Sequence, residues 1–249
     1  MKAEPIPYRR VLAIEAATRI QSLALIDGEE VLEHRQQRVR FDHGSILVRN
    51  IDELFAAQNL SIHDVDLIVV GLGPGSFTGL RVAMAMAKAL ARAAEKPLVG
   101  VSSLAALAYS VAIVRPQATV CAMIDARRDE VYTGVYRLER DVLQTLDAEH
   151  TASPSSLGEL LMARATSGPV FIAGNAQAAY PDLDIWREPF VQTLPGWTQT
   201  PSAIAAALLG RERAVHLGAD DLVSLEPNYI RPSDAQLPRG ASDTVVETP

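Results

Sequence analysis

Cysteine is almost absent. Cys121 is the only one, so the chain can form no internal disulfide and has no CxxC metal pattern. Long apolar runs are missing too. No stretch reaches the roughly 18 residues of a membrane-crossing helix, and MKAEPIPYRR at the start lacks a signal peptide's apolar core. A cytoplasmic chain without a membrane segment is therefore expected. The five histidines, His34, His43, His63, His150 and His216, are scattered, and no two lie four apart as a two-histidine helical metal site requires. GxSxG is absent, and no Cys–His pair identifies a nucleophile. Positive charge is also short. With 23 Lys and Arg against 30 Asp and Glu, the net charge is −7, which makes the chain a poor stand-alone binder of nucleic acid.

What is present is aliphatic. Of 249 residues 48% are hydrophobic and only 5% aromatic, enough for a large core in one domain or two small ones. Strand signals fall at Arg10–Ala16, Gln21–Ile26 and Val31–Gln36, with Gly28 in a turn. A helix follows over His43–Ala57, where Ile46, Leu47, Ile51, Leu54 and Phe55 recur at helical spacing behind Asp42 as N-cap. Next come a strand at Asp66–Val70, a helix capped by Ser76 or Thr78 and running to Ala94, and a strand at Pro97–Val101. A helix from Ser102 or Ser103 to Ile113 follows. The second half reads as strands at Val120–Ile124, Glu130–Arg137 and Val142–Leu146, then a helix at Ser155–Ala163. A strand at Val170–Ala173 and a helix at Pro201–His216 complete it. Each half thus runs three strands, helix, strand, helix, which points to α/β layers with mixed sheets. The divisions expected are 1–101, 102–232 and a polar, aperiodic tail at 233–249 that reads as disordered.

Gly71-Leu72-Gly73-Pro74-Gly75-Ser76-Phe77-Thr78-Gly79-Leu80-Arg81 sits between a strand and a helix. No lysine lies between Gly71 and Arg81, so it is no P-loop. Ser76 stands where GxGxxG needs glycine. Two readings stay open: a tight turn that binds nothing, or an anion site with Gly73, Gly75, Ser76 and Thr78 as candidate contacts for a nucleotide or other anion. The helix after it, RVAMAMAKALARAA, carries two alanine rows, Ala83/Ala87/Ala91 and Ala85/Ala89/Ala93. Small residues let a second helix approach to about 8 Å. One row is expected against the sheet and the other against a partner. The turn from Asp125 to Tyr132 reads as a solvated hairpin or as a polar loop at a cleft. Glu15 and Thr18 end the first strand, where AIEAAT lacks the glycine of a phosphate turn.

VLAIEAAT, GLGPGSFTGLR, GVSSLAALA, IDARRDEVY and LEPNYIRP, in that order, resemble the TsaB/YeaZ family of bacterial tRNA threonylcarbamoyladenosine factors across about residues 10–232. The resemblance implies an actin-like (ASKHA, ribonuclease H-like) fold of two lobes, each a mixed sheet flanked by helices. It also implies a non-catalytic subunit that supports TsaD, its catalytic paralogue, together with the P-loop ATPase TsaE. TsaD-type chains carry an HMEGH-like metal motif where this chain has Ser103-Leu104-Ala105-Ala106-Leu107, so no metal site and no catalytic residue are expected. First-lobe helices in the family pack against those of TsaD or of a second TsaB. By that resemblance the partner interface is expected at His43, Ile46, Leu47, Asn50 and Leu54 of one helix. Phe77, Arg81, Met84, Ala85, Lys88, Ala89 and Arg92 are its counterparts on the other. No cofactor is expected in this chain, with ATP or ADP confined to the complex interface. A homodimer is expected when alone, and tRNA contact is expected only indirectly. The competing reading is an ATP-dependent phosphotransferase or ATPase of the same fold. It needs an acid near Glu15 and a working phosphate turn.

Overall fold

Alternation of side chains builds the first sheet. In β1 (Arg10–Glu15) Leu12 and Ile14 face one core while Val11 and Ala13 face another, and all four are fully buried. β2 (Ile20–Asp27) and β3 (Glu30–Arg38) follow as an antiparallel meander. β4 (Leu67–Gly71) and β5 (Leu98–Val101) join parallel to β1, giving the order β3-β2-β1-β4-β5. A strand with helices on both sheet faces must be apolar on both, hence the continuous runs of β1 and β4. The second sheet repeats this plan with β6 (Thr119–Arg127), β7 (Glu130–Glu139), β8 (Val142–Ala152), β9 (Val170–Gly174) and β10 (Val191–Thr193), in the order β10-β9-β6-β7-β8. The same pairs are antiparallel and parallel in both. This is the two-lobe actin-like architecture. The computed structural model describes residues 6–165, 168–194 and 196–231; the tail expected at 233–249 lies outside them.

Helices α1 (His43–Ala57) and α2 (Phe77–Ala94) cover one face of the first sheet. Asp42 caps α1 by accepting from Ser45 N–H, and Ser76, not Thr78, caps α2 by accepting from Gly79 N–H. α3 (Ser103–Ala112), capped by Ser102, has no charged residue and is buried on nearly all sides. Leu104, Leu107, Ala108 and Val111 fill the second lobe's core, while Ala106 reaches the first lobe's. α4 (Leu157–Arg164) and the four-residue α5 (Ala176–Ala179) flank the second sheet. α6 (Ala203–Leu217) falls in the chain's second half yet lies against β1, β2, β4 and β5 of the first sheet. Its buried residues are Ala203, Ala205, Ala206, Ala207, Gly210 and Ala214. A Cβ at Gly210 would overlap Val69, so this helix and β4 meet backbone to side chain.

After α6 the chain turns back over the first lobe without regular structure. Asp220 fixes the turn: its carboxylate takes both terminal nitrogens of Arg213 at 2.7 Å and the N–H of Gly100 at 2.8 Å. Leu222 and Leu225 then pack on the core beneath α2, and Asn228 N–H donates to Leu72 C=O at 2.7 Å.

Candidate functional site

Two surfaces follow from this arrangement. The first is the outer side of α1 and α2. Ala83, Ala87 and Ala91 point into the sheet and are buried, whereas Ala85, Ala89 and Ala93 are exposed. The two alanine rows therefore divide as their spacing predicts. Arg81 and Arg92 are exposed beside the outer row, Phe77 is 36% exposed at its start, and His43 and Ile46 are half-buried. Val48 (52% exposed) and Phe41 (82%) add apolar surface on and just before α1, which the periodic pattern overlooks.

Four of the residues expected on that surface are elsewhere. Leu47 and Leu54 are fully buried, Met84 nearly so, and Asn50 is buried while donating to Gln37 Oε1 at 2.8 Å. The helical period that makes them an apolar row is the one that seals α1 and α2 onto the sheet. Arg81 and Lys88 are engaged within the chain. Arg81 Nε donates to Tyr229 OH at 3.0 Å, with its guanidinium 3.7 Å above the Phe77 ring, and Lys88 Nζ donates to Val223 C=O at 3.3 Å. The segment after α6 thus borders α2 on one flank. Its only legible signs were the LEPNYIRP motif and the spacing of Leu222 and Leu225.

The second surface is a cleft of about 840 Å³ between the lobes. Its walls are the β1–β2 turn (Ala17–Ile20), the Pro74–Thr78 loop, the β6–β7 turn, α5 and residues 228–231. Gly75, Ser76 and Thr78 line it as candidate anion contacts, but Gly73 does not. Gly73 is buried, and its N–H donates to Ser103 Oγ at 3.1 Å. The glycines of this loop are explained by packing. A Cβ at Gly71 would overlap the Glu15 carboxylate, one at Gly75 the Ala17 carbonyl, and one at Gly79 the Ala16 carbonyl. Three glycines four apart thus let the loop and the start of α2 lie directly on the end of β1. Ser76 N–H donates to Ala17 C=O at 2.7 Å across that contact.

Glu15 ends β1 at 1% exposure. Its carboxylate accepts from Ala17 N–H at 2.7 Å and from Ser103 Oγ at 2.9 Å. Burial raises its pKa to about 6, against the lowering effect of those hydrogen bonds. It faces inward and does not line the cleft. Ser103 and Leu107, where the family resemblance implies the metal histidines of TsaD-type chains would fall, are the partner of Glu15 and a core residue. Thr18 Oγ1 is held within its own turn, donating to Ile20 C=O and accepting from Ile20 N–H.

A folded-state pKa near 6 against an ordinary 4.5 has a definite consequence for stability. Glu15 favours the fold fully below about pH 4.5, and this contribution is lost as pH rises through 6, a change of about 2 kcal/mol. Glu15→Gln should remove that slope. Urea unfolding at pH 5 and pH 8 is expected to show the variant gaining about 1 kcal/mol on the parent between the two, since part of the effect is already spent at pH 5. Parallel pH profiles for the two chains would contradict the burial argument.

The β6–β7 turn that composition favours as a solvated hairpin lies at this cleft. Asp125, Ala126 and Arg127 line it. Asp125 is the only acid among the described lining residues, and its Oδ1 accepts from Arg127 N–H at 2.8 Å and Tyr180 OH at 3.2 Å. Four arginines line the same cleft: Arg19, Arg38, Arg127 and Arg231, the last paired with Glu130.

Comparison with known proteins fits this geometry. A family model described as "TsaD: tRNA N6-adenosine threonylcarbamoyltransferase" matches residues 37–185. The chain is 33% identical over 175 residues to the tRNA threonylcarbamoyladenosine biosynthesis protein TsaB of Escherichia coli, covering 70% of this chain and 74% of that one. It is 26% identical over 233 residues to the Bacillus subtilis protein of the same name, covering 91% and 96%. YeaZ from Pseudomonas aeruginosa superposes with a TM-score of 0.72 at 26% identity, over 88% of this chain and 99% of that one. With its doubled sheet plan and this identity over most of its length, the chain belongs to the TsaB/YeaZ family of tRNA threonylcarbamoyladenosine biosynthesis proteins.

Proposed function

We propose that this chain is a non-catalytic subunit that docks on a TsaD-type paralogue through the outer face of α1 and α2 and holds it in its active arrangement. The partner then transfers the threonylcarbamoyl group from its adenylate to N6 of the adenosine that follows the anticodon. TsaE is the third component, and the same face serves a homodimer when the partner is missing. The observation that carries this reading is the exposed row Ala85, Ala89 and Ala93, set opposite the buried row that fixes α2 to the sheet. A helix bare of bulk along one side permits close helix contact, and apolar neighbours such as Val48 and Phe77 enlarge it. An activator of this kind works by binding the competent conformation of its partner more tightly than the others. The inward-facing carboxylate of Glu15 supports an accessory role over a phosphotransferase.

The test is reconstitution. Purified chain and its organism's TsaD-type subunit should co-elute, and tRNA modification by that subunit with TsaE should rise at least tenfold on addition of this chain. Equal modification without it, or separate elution of the two, would sink the proposal.

A further inference from the structure

In a chain with seven more negative than positive charges, one cleft reverses the balance. Arg19 comes from the β1–β2 turn, Arg38 from the end of β3 and Arg127 from the end of β6, so both lobes contribute. All three are exposed, and none forms an ion pair with a described residue. Asp125, the single acid among the described residues that line the cleft, is held by Arg127 N–H and Tyr180 OH. The start of α2 opens onto the same space at Ser76–Thr78, and the Phe77 and Tyr229 rings lie 5.3 Å apart on its wall. A concave surface lined with one sign of charge concentrates the opposite sign, and aromatic walls accept stacked bases.

We infer that this cleft binds the sugar–phosphate backbone of RNA, with Arg19, Arg38 and Arg127 each contacting phosphate. The inference rests on the family's place in tRNA modification and deepens the proposed role by giving the subunit a direct hold on the substrate. It departs from the indirect contact that net charge alone suggests, because counterion release depends on local and not on overall charge. Exposed arginines spread along the rim suit an extended polyanion. A single nucleotide would engage only one end of such a rim, and Glu15 at the end of β1 is buried on Ser103 and turned away from the cleft.

The experiment is fluorescence anisotropy of the full chain alone with a labelled, unmodified tRNA transcript, across about 0.05–0.2 M salt. Using the chain alone keeps the result independent of docking to the paralogue. Arg19→Ala, Arg38→Ala and Arg127→Ala should each weaken binding roughly fourfold at about 0.15 M salt and lower the salt slope by about 0.7, the triple variant roughly fiftyfold. Arg140→Ala, at the opposite end of β7 from the cleft turn, should change neither. Each single variant is an exposed change read separately, so a triple that misfolds leaves three tests standing. No binding at the lowest salt, an equal loss from Arg140→Ala, or rim variants indistinguishable from the parent would overturn the inference. Displacement of tRNA by an equal concentration of ATP would assign the cleft to mononucleotides instead.

Discussion

Ala89→Glu is expected to weaken the complex with the catalytic paralogue by at least a hundredfold while leaving this chain folded. Ala89 lies on the exposed side of α2, one turn from Ala85 and one from Ala93. Alanine to glutamate on an exposed helix face changes intrinsic helix propensity by only a few tenths of a kcal/mol. At a close helix contact the same change adds four heavy atoms where helices approach to about 8 Å, and it buries a carboxylate without a partner. Either effect alone costs several kcal/mol of association. Ala85→Glu should behave the same way. Ala87→Glu, from the buried row, should instead unfold the first lobe. The measurement is size-exclusion chromatography of the mixed subunits beside thermal melts of the single chain. Normal co-elution of both surface variants would remove the alanine row from the interface. Loss of the chain's own melt would show that the row belongs to its core.

The division between the rows was legible because a helix of period 3.6 presents residues four apart on one side. The bounds of α1, His43–Ala57, were legible for a related reason: Asp42 marks the start and the apolar spacing stops at the end. Periodicity does not separate core from interface among the residues that the family resemblance puts on the outer face of α1 and α2. Leu47, Leu54 and Met84 are apolar at helical spacing because they face the core, and the exposed row is nearly featureless alanine. α5 and β10 were missed, since four and three residues are too short for either periodicity to register. β8 continues to Ala152, six residues beyond its apolar signal, because pairing with β7 holds a polar edge strand in place. Nothing local could show that α6 crosses back to the first sheet, or that Arg19, Arg38 and Arg127 meet at one cleft. Those facts depend on how two lobes close on each other.

The glycines of GLGPGSFTG suit a turn or an anion cradle, and their packing carries the second large expectation. Gly79→Ala should cost about 2–3 kcal/mol and lower the melting temperature by roughly 5–10 °C. Alanine is normally the better helix residue by about 1 kcal/mol, so propensity alone predicts the opposite sign. Propensity loses here because the new Cβ would fall inside contact distance of the Ala16 carbonyl, a backbone atom that cannot swing aside as a side chain would. Gly158, in the first turn of α4, has nothing within 4 Å of an added Cβ. Gly158→Ala should therefore follow propensity and gain a few tenths of a kcal/mol to about 1. Opposite signs for one chemical change at two helical glycines would show that α2 rests on β1. If both variants gained, the loop would have to carry slack that this geometry denies it, and the fixed placement of Ser76 and Thr78 at the cleft would go with it.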